Sequence, residues 1–243
     1  MRIWAYQLLR RHGDALALFD ELLHDLGQRS HGKVAGVLTD RARLWLDLGQ
    51  WTRALQDRER ALQQTGSPQA STALWLLDLR MAALAVHDSV PSRPASLNHY
   101  NAVAGALLES SLLPGEAGAE RLAWGLDEAE RCGYRGLQAA ALARQAQQRL
   151  AAGNAGEAAA LVRRSLLLAD GRSTDDLSWP DLVTRVVPVL RAAGASAEAA
   201  QLMSSGARWI AQVATNLPAP LQPSLRDRHP VHRALLEAAR RLD

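Results

Sequence analysis

The 243-residue chain has one cysteine, one phenylalanine and one lysine, Lys33. A single cysteine excludes an internal disulfide framework and any multi-cysteine zinc site. All but one of the 28 basic residues are arginine, so Schiff-base or lysine-nucleophile chemistry would have to rest on Lys33. Aromatic residues make up only 5% of a chain that is 48% hydrophobic. The apolar content is therefore mostly alanine and leucine, which favour helices, with little to favour strands. An all-β protein is excluded on that ground, and disorder is excluded by the high apolar content. No stretch approaches the ~18 uninterrupted apolar residues of a membrane span. The opening MRIWAYQLLRRHGD carries too short an apolar run for a signal peptide, and Arg10 and Arg11 interrupt it. These features predict a cytoplasmic protein with no membrane association. A basic stripe is also lacking: net charge is +3, and arginines alternate with acids, as in Arg53, Asp57, Arg58, Glu59 and Arg60. That is the pattern of a solvated helix face, and direct nucleic-acid binding is not expected.

What is present is helical periodicity from end to end, punctuated by glycine and proline. It predicts helices over 3–10, 14–26, 31–48, 51–65, 68–87, 96–112, 116–132, 135–152, 154–170, 179–193, 195–215 and 230–242. Two connectors are rich in proline. SVPSRPAS (89–96) breaks the helix pattern, and LPAPLQP (217–223) predicts an extended strap before the last helix. The other links are short and force consecutive helices to run antiparallel.

Three segments repeat one pattern: 46–63, 150–168 and 190–209. Each has a glycine ending a helix (Gly49, Gly153, Gly194), a small residue five positions later (Ala54, Ala158, Ala199) and another seven beyond that (Ala61, Ser165, Gly206). Small residues at these places let two helix axes approach, where larger ones would overpack. The first two glycines are separated by about three lengths of a ~34-residue repeat. The spacing of the last two is longer, with the polar loop DGRSTDDLS (170–178) supplying the excess.

These residues resemble the tetratricopeptide repeat (TPR), a pair of antiparallel helices, A and B, with glycine at the turn and small residues where B crosses its neighbours. The resemblance implies an all-α, right-handed α-solenoid over 1–216, starting mid-repeat with Ala15 and Phe19 on a B-like helix. Trp45 stands at the aromatic position of helix A, which Arg149 and Leu190 take in the other two pairs. Between 65 and 135 there are three helices where pairs need an even number. Either 68–87 is an unpaired insert, or the strap at 89–96 replaces a degraded helix.

The end of the chain, 209–239, carries Trp209, Pro218, Arg226, Arg228, Pro230, Arg233, Leu235 and Leu236. It resembles the terminal motif of bacterial transcriptional regulators of the signal-transduction ATPase (STAND) type. Within 217–243, a Pro-rich strap and a capping helix, Pro230 suits a first helical turn. Leu235 and Leu236 can cover the last repeat, and the three arginines are expected to bond carbonyls and carboxylates there.

Motifs for chemistry are weak. GQRSHGKV (27–34) nearly spells a phosphate loop, but Val34 stands where the metal-binding hydroxyl belongs and a helix precedes it. His229 and His232 have no third ligand nearby in sequence. Cys132 reads as a small hydrophobe. Asp170, Asp175 and Asp176 lack the glycine and glutamate of a calcium loop, and Ser110 and Ser111 have no local histidine base. No cofactor, metal or catalytic residue is expected. The seven tryptophans either pack helices together or line a groove.

In the TPR family, helix A lines a concave groove. That implies Arg43, Asp47, Gln147 and Ala151 as binding residues, joined by Asn98, His99 and Asn101 if 96–112 is also a helix A. The resulting expectation is a non-catalytic sensor or interaction domain of a bacterial regulator, taking a protein, peptide or small-molecule effector in its groove. The alternative is a stand-alone scaffold, assembling proteins and dimerising through its first helices.

Overall fold

A computed structural model describes residues 10–27, 31–64, 68–86, 91–171, 173 and 177–241. Positions 3–9 of the predicted helix at 3–10, with Trp4, positions 28–30 of the phosphate-loop-like segment, and Asp175 and Asp176 lie outside the described residues, and Arg10 is in a turn with φ +61°. The protein is all-α; among the described residues there is no strand, and no helix is long and apolar enough to cross a membrane. The helices are α1 (His12–Gly27), α2 (His31–Asp47), α3 (Trp51–Gln63), α4 (Pro68–Ala83), α5 (His99–Glu109), α6 (Gly115–Arg131), α7 (Arg135–Ala151), α8 (Ala155–Ala169), α9 (Trp179–Ala192), α10 (Ser196–Asn216) and α11 (Pro230–Ala239).

The tight turns share one construction. At the end of α2, Gly49 N–H donates to Leu46 O (3.0 Å) and Gln50 N–H to Trp45 O (2.8 Å), with Gly49 at φ +68°. This double bond satisfies the last carbonyls of a helix and needs a left-handed residue at its centre. The same pair of bonds recurs around Gly133, Gly153 and Gly194. Bonded partners then lie evenly on either side of each turn, as antiparallel neighbours require. Arg41 on α2 holds Asp57 on α3, and Ser165 Oγ on α8 donates to Ala139 O on α7 (2.7 Å).

A fifth turn of this kind ends α4, where Ala85 N–H donates to Ala82 O and Val86 N–H to Met81 O. Its central residue is Ala85, at φ +54° and exposed. A Cβ in the left-handed region costs about 1 kcal/mol that glycine avoids. Ala85→Gly is therefore expected to stabilise the protein by about 0.5–1 kcal/mol, read as a higher urea midpoint with an unchanged slope.

The chain divides into two units. One comprises residues 1–108 and 213–229, the other 109–212 and 230–243. In the first, α2 packs against α1, α3 and α4. Leu38, Ala42, Leu44 and Leu46 of α2 are buried there, as is Leu48 just beyond its end. The small residues of the repeat pattern are buried here as expected: Ala54 and Ala61 face the neighbouring helices. α5 crosses α4 where a side chain on Gly105 would overlap the buried Trp75 ring.

Residues 213–229 complete this unit from the far end of the chain. Gly13 N–H donates to Asn216 Oδ1 (2.9 Å), and Gln50 Nε2 donates to Ser224 Oγ (2.6 Å). A linear stack of repeats has contacts only between neighbours, so this return is a departure from the expected arrangement. The extended strap is also corrected. Residues 219–221 form a 3₁₀ turn and 224–228 a π turn, with Leu217, Leu221 and Leu225 buried at four-residue intervals. Arg226 and Arg228 are exposed and bond no described residue, contrary to expectation.

In the second unit, α7 packs against α6, α8 and α9. It is buried from Leu137 through Arg144, which explains a segment apolar on nearly all sides. Ala158, Ser165 and Ala199 are fully buried, and a side chain on Gly206 would meet Leu235. Leu235 of α11 thus covers α10, and α11 also rests on α9. His232 is fully buried, its ring 6.1 Å from that of Trp209. Arg233 is exposed and bonds no described residue. Ser178 begins α9 with a reciprocal capping box to Asp181, and Trp179 Nε1 donates to Ser205 Oγ (2.8 Å).

Candidate functional site

A cavity of about 510 Å³ lies in the first unit, within the range of small-molecule sites. α2 contributes Thr39, Asp40 and Arg43 to its wall, and α4 contributes Thr72, Ala73 and Leu76. These two triplets have the same internal spacing and stand at one constant offset along the chain. The ion pair between Asp47 and Arg80 Nη2 (2.6 Å) joins positions at that same separation of 33 residues. Helices α2 and α4 thus contribute positions 33 residues apart to one wall. This spacing is close to the ~34 residues of a TPR.

The opposite wall comes from Ser96, Leu97 and Asn98, before α5, and from Asn101 on its first turn. Asn98 is the N-cap of α5, its Oδ1 accepting the Asn101 N–H (2.8 Å). Thr39 donates its hydroxyl to Ala35 O (2.8 Å). The apolar part of the wall is Ala73, Leu76 and Leu97.

Asp40 is the electrostatic centre. Its side chain retains access to water, yet protein surrounds it in the concavity. That loss of solvent pushes its carboxyl above the usual range, with the positive charge of Arg43 acting in the opposite direction. Asp40 makes no hydrogen bond or ion pair with any described residue. A carboxylate in a cleft, shifted by loss of solvent and by a neighbouring charge, marks a candidate binding site.

Of the residues implied by the TPR resemblance, Arg43, Asn98 and Asn101 come together in this cavity. Asp47 lies one turn beyond Arg43 and is engaged by Arg80. His99 is exposed at the start of α5 and is not part of the wall. Gln147 and Ala151 belong to the second unit. Gln147 Oε1 accepts from Arg185 Nη1 (3.4 Å), joining α7 to α9, and Ala151 is exposed. Sequence reasoning missed Asp40 and the α4 triplet. Only Thr72 repeats its counterpart 33 residues earlier, Thr39; Asp40 and Arg43 are matched by Ala73 and Leu76.

A second concavity, of about 490 Å³, lies along α1, α2 and α3. Its charges are largely satisfied internally. Asp57 is 3% exposed and accepts from Arg41 Nε (2.6 Å), Arg41 Nη2 (2.7 Å) and Trp45 Nε1 (3.1 Å). Arg41 also reaches Asp20, and the Arg53 guanidinium lies 4.9 Å from the Trp45 ring centre. This network holds α3 against α2 and is structural in character. The tryptophans mostly pack: Trp45, Trp75, Trp179 and Trp209 are buried, and none lines the first cavity.

Comparison of the chain with models of protein families, with curated proteins and with solved structures gives no match to any of them.

Proposed function

We propose that this protein is a TPR-like sensor domain that binds a small polar effector in the cavity between α2, α4 and the start of α5. What carries the reading is the composition of that wall: residues of α2 and α4 at a constant offset of 33, with Asp40 on α2 making no hydrogen bond or ion pair with any described residue. Consecutive A helices line the groove in the TPR family, and α2 and α4 are related as such helices would be. The likeness of the chain's end to STAND-type regulators supports a regulatory setting in a bacterium. No covalent step is needed: occupancy changes the relative stability of two states of the unit, by the difference in the ligand's affinity for them.

The test is a thermal-shift screen of amino acids, amines, sugars and nucleotides against wild type, Asp40→Asn and Asn101→Ala. The expected result is a compound class that stabilises wild type and stabilises both variants less. If no compound distinguishes wild type from the variants, the reading fails.

Asp40→Asn has a second expected effect, without ligand. A carboxyl whose folded pKa is raised favours the fold while protonated. Its ionisation costs stability as pH rises above the usual carboxylate value of 3.8. The asparagine variant is therefore expected to melt higher than wild type at neutral pH. The difference shrinks as pH falls toward the ordinary carboxylate range. Melting curves from acid to neutral pH check both the sign and the trend.

A further inference from the structure

We infer that the outer face of α6 is a docking surface for a cationic amphipathic helix of a partner protein. Burial distinguishes the two sides of this helix. Gly118, Leu122, Gly125 and Ala129 are buried and recur at helical spacing, so they form the stripe that packs inward. Trp124 lies about 130° around the helix from the middle of that stripe and is 40% exposed. It is not a core residue. A large indole held in water is relieved by burial against another surface, and its apolar body with a polar edge suits an interface.

The residues around Trp124 define the occupant. Ala119 and Ala123 are exposed and present almost no side chain, so a second helix axis can approach closely. Glu116, Glu120 and Asp127 share the outer side, are exposed, and make no hydrogen bond or ion pair with any described residue. The neighbouring arginines are engaged: Arg131 holds Glu128, and Arg121 Nε lies 3.5 Å from Glu109 Oε2. The face thus surrounds an apolar centre with uncompensated negative charge. Nucleic acid and anionic lipid are repelled by it. A neutral helix would desolvate the carboxylates and leave them unmatched. A helix with leucines along one side, flanked by lysine or arginine, complements both features. The 17 residues of α6 offer it a ridge about 25 Å long.

Fluorescence anisotropy with three labelled peptides, each matching α6 in length, tests the inference. They are a leucine–lysine amphipathic helix, its leucine–glutamate counterpart and oligolysine. The leucine–lysine helix is expected to bind wild type at least about tenfold more tightly than the other two, the scale of one anchoring contact. Trp124→Ser should weaken its binding about tenfold. Glu120→Gln combined with Asp127→Gln should weaken it similarly and flatten its dependence on salt. Glu237→Gln, at an exposed acid on α11, should leave it unchanged. All four positions are exposed, and circular dichroism checks that each variant keeps its helix content. Binding indifferent to Trp124→Ser, binding lowered as much by Glu237→Gln, or equal binding of the leucine–glutamate peptide would overturn the assignment. Sedimentation of the protein alone addresses the other occupant. A wild-type dimer that Trp124→Ser disperses would give this face to a second copy of the chain and end the proposal.

Discussion

Replacing Asp57 by alanine is expected to destabilise the protein by about 3 kcal/mol, the scale for breaking a buried ion pair from one side. Asp57 is almost inaccessible and accepts three hydrogen bonds, two from Arg41 and one from Trp45. The Arg41 side chain is itself only 12% exposed. Without Asp57, its guanidinium keeps one partner, Asp20, whose side chain is 69% exposed. The indole N–H also loses its acceptor, at a further cost of desolvation. Asp20→Ala provides the contrast. It removes a solvent-facing member of the same network and should cost no more than about 1 kcal/mol. Urea denaturation of the two variants checks the ratio. Similar losses would mean that the Asp57 network is not what joins α3 to α2.

The second large effect concerns glycines that look alike in sequence. Gly49, Gly153 and Gly194 have φ values of +68°, +83° and +79°, so alanine at any of them carries about 1 kcal/mol of left-handed strain. Their surroundings differ. A Cβ at Gly153 or Gly194 meets nothing within 4 Å, whereas at Gly49 it falls 2.7 Å from Ser224 O and 3.0 Å from His229 N. Those are backbone atoms and cannot move aside by rotating a side chain. Gly49→Ala is expected to cost about 3 kcal/mol, combining strain with overpacking. Gly153→Ala and Gly194→Ala are expected to cost about 1 kcal/mol each. Chemical denaturation of the three variants separates these costs. Equal losses would show that residues 224–229 do not press on the α2–α3 turn in solution.

Much of the helical order was legible in the sequence because glycine marks a turn that few other residues can make. Gly49, Gly153 and Gly194 all occupy left-handed turns, and the small residues after them are buried. The signal failed where the chemistry was disguised. At Ala85 the same turn is made by a residue that ordinarily avoids it, so the glycine pattern does not mark the end of α4. That obscured the register of the middle helices, and with it the wall on which Thr72 and Leu76 face Thr39 and Arg43. At Gly133 the turn is followed by Gln138 rather than a small residue. The Gln138 side chain is buried and donates to Ala129 O (2.8 Å), a solution that no small-residue pattern anticipates. Asp40 was overlooked because its significance lies in what surrounds it, and a sequence does not display solvent. The prolines of 217–223 were read as extending the chain. The competing signal, leucines at four-residue intervals, prevailed because burying them requires the segment to coil.

The return of residues 213–229 to the opening helices has a consequence for biosynthesis. Translation delivers Gly13 and Gln50 long before Asn216 and Ser224, which bond them. Domains ordinarily fold as they leave the ribosome, first-made first. Here these helices must wait, with part of their surface uncovered, until residues 213–229 have also been made. A ribosome that stalls before adding residue 213 would release a product lacking its closing segment, a candidate for chaperones and proteases rather than a smaller working protein.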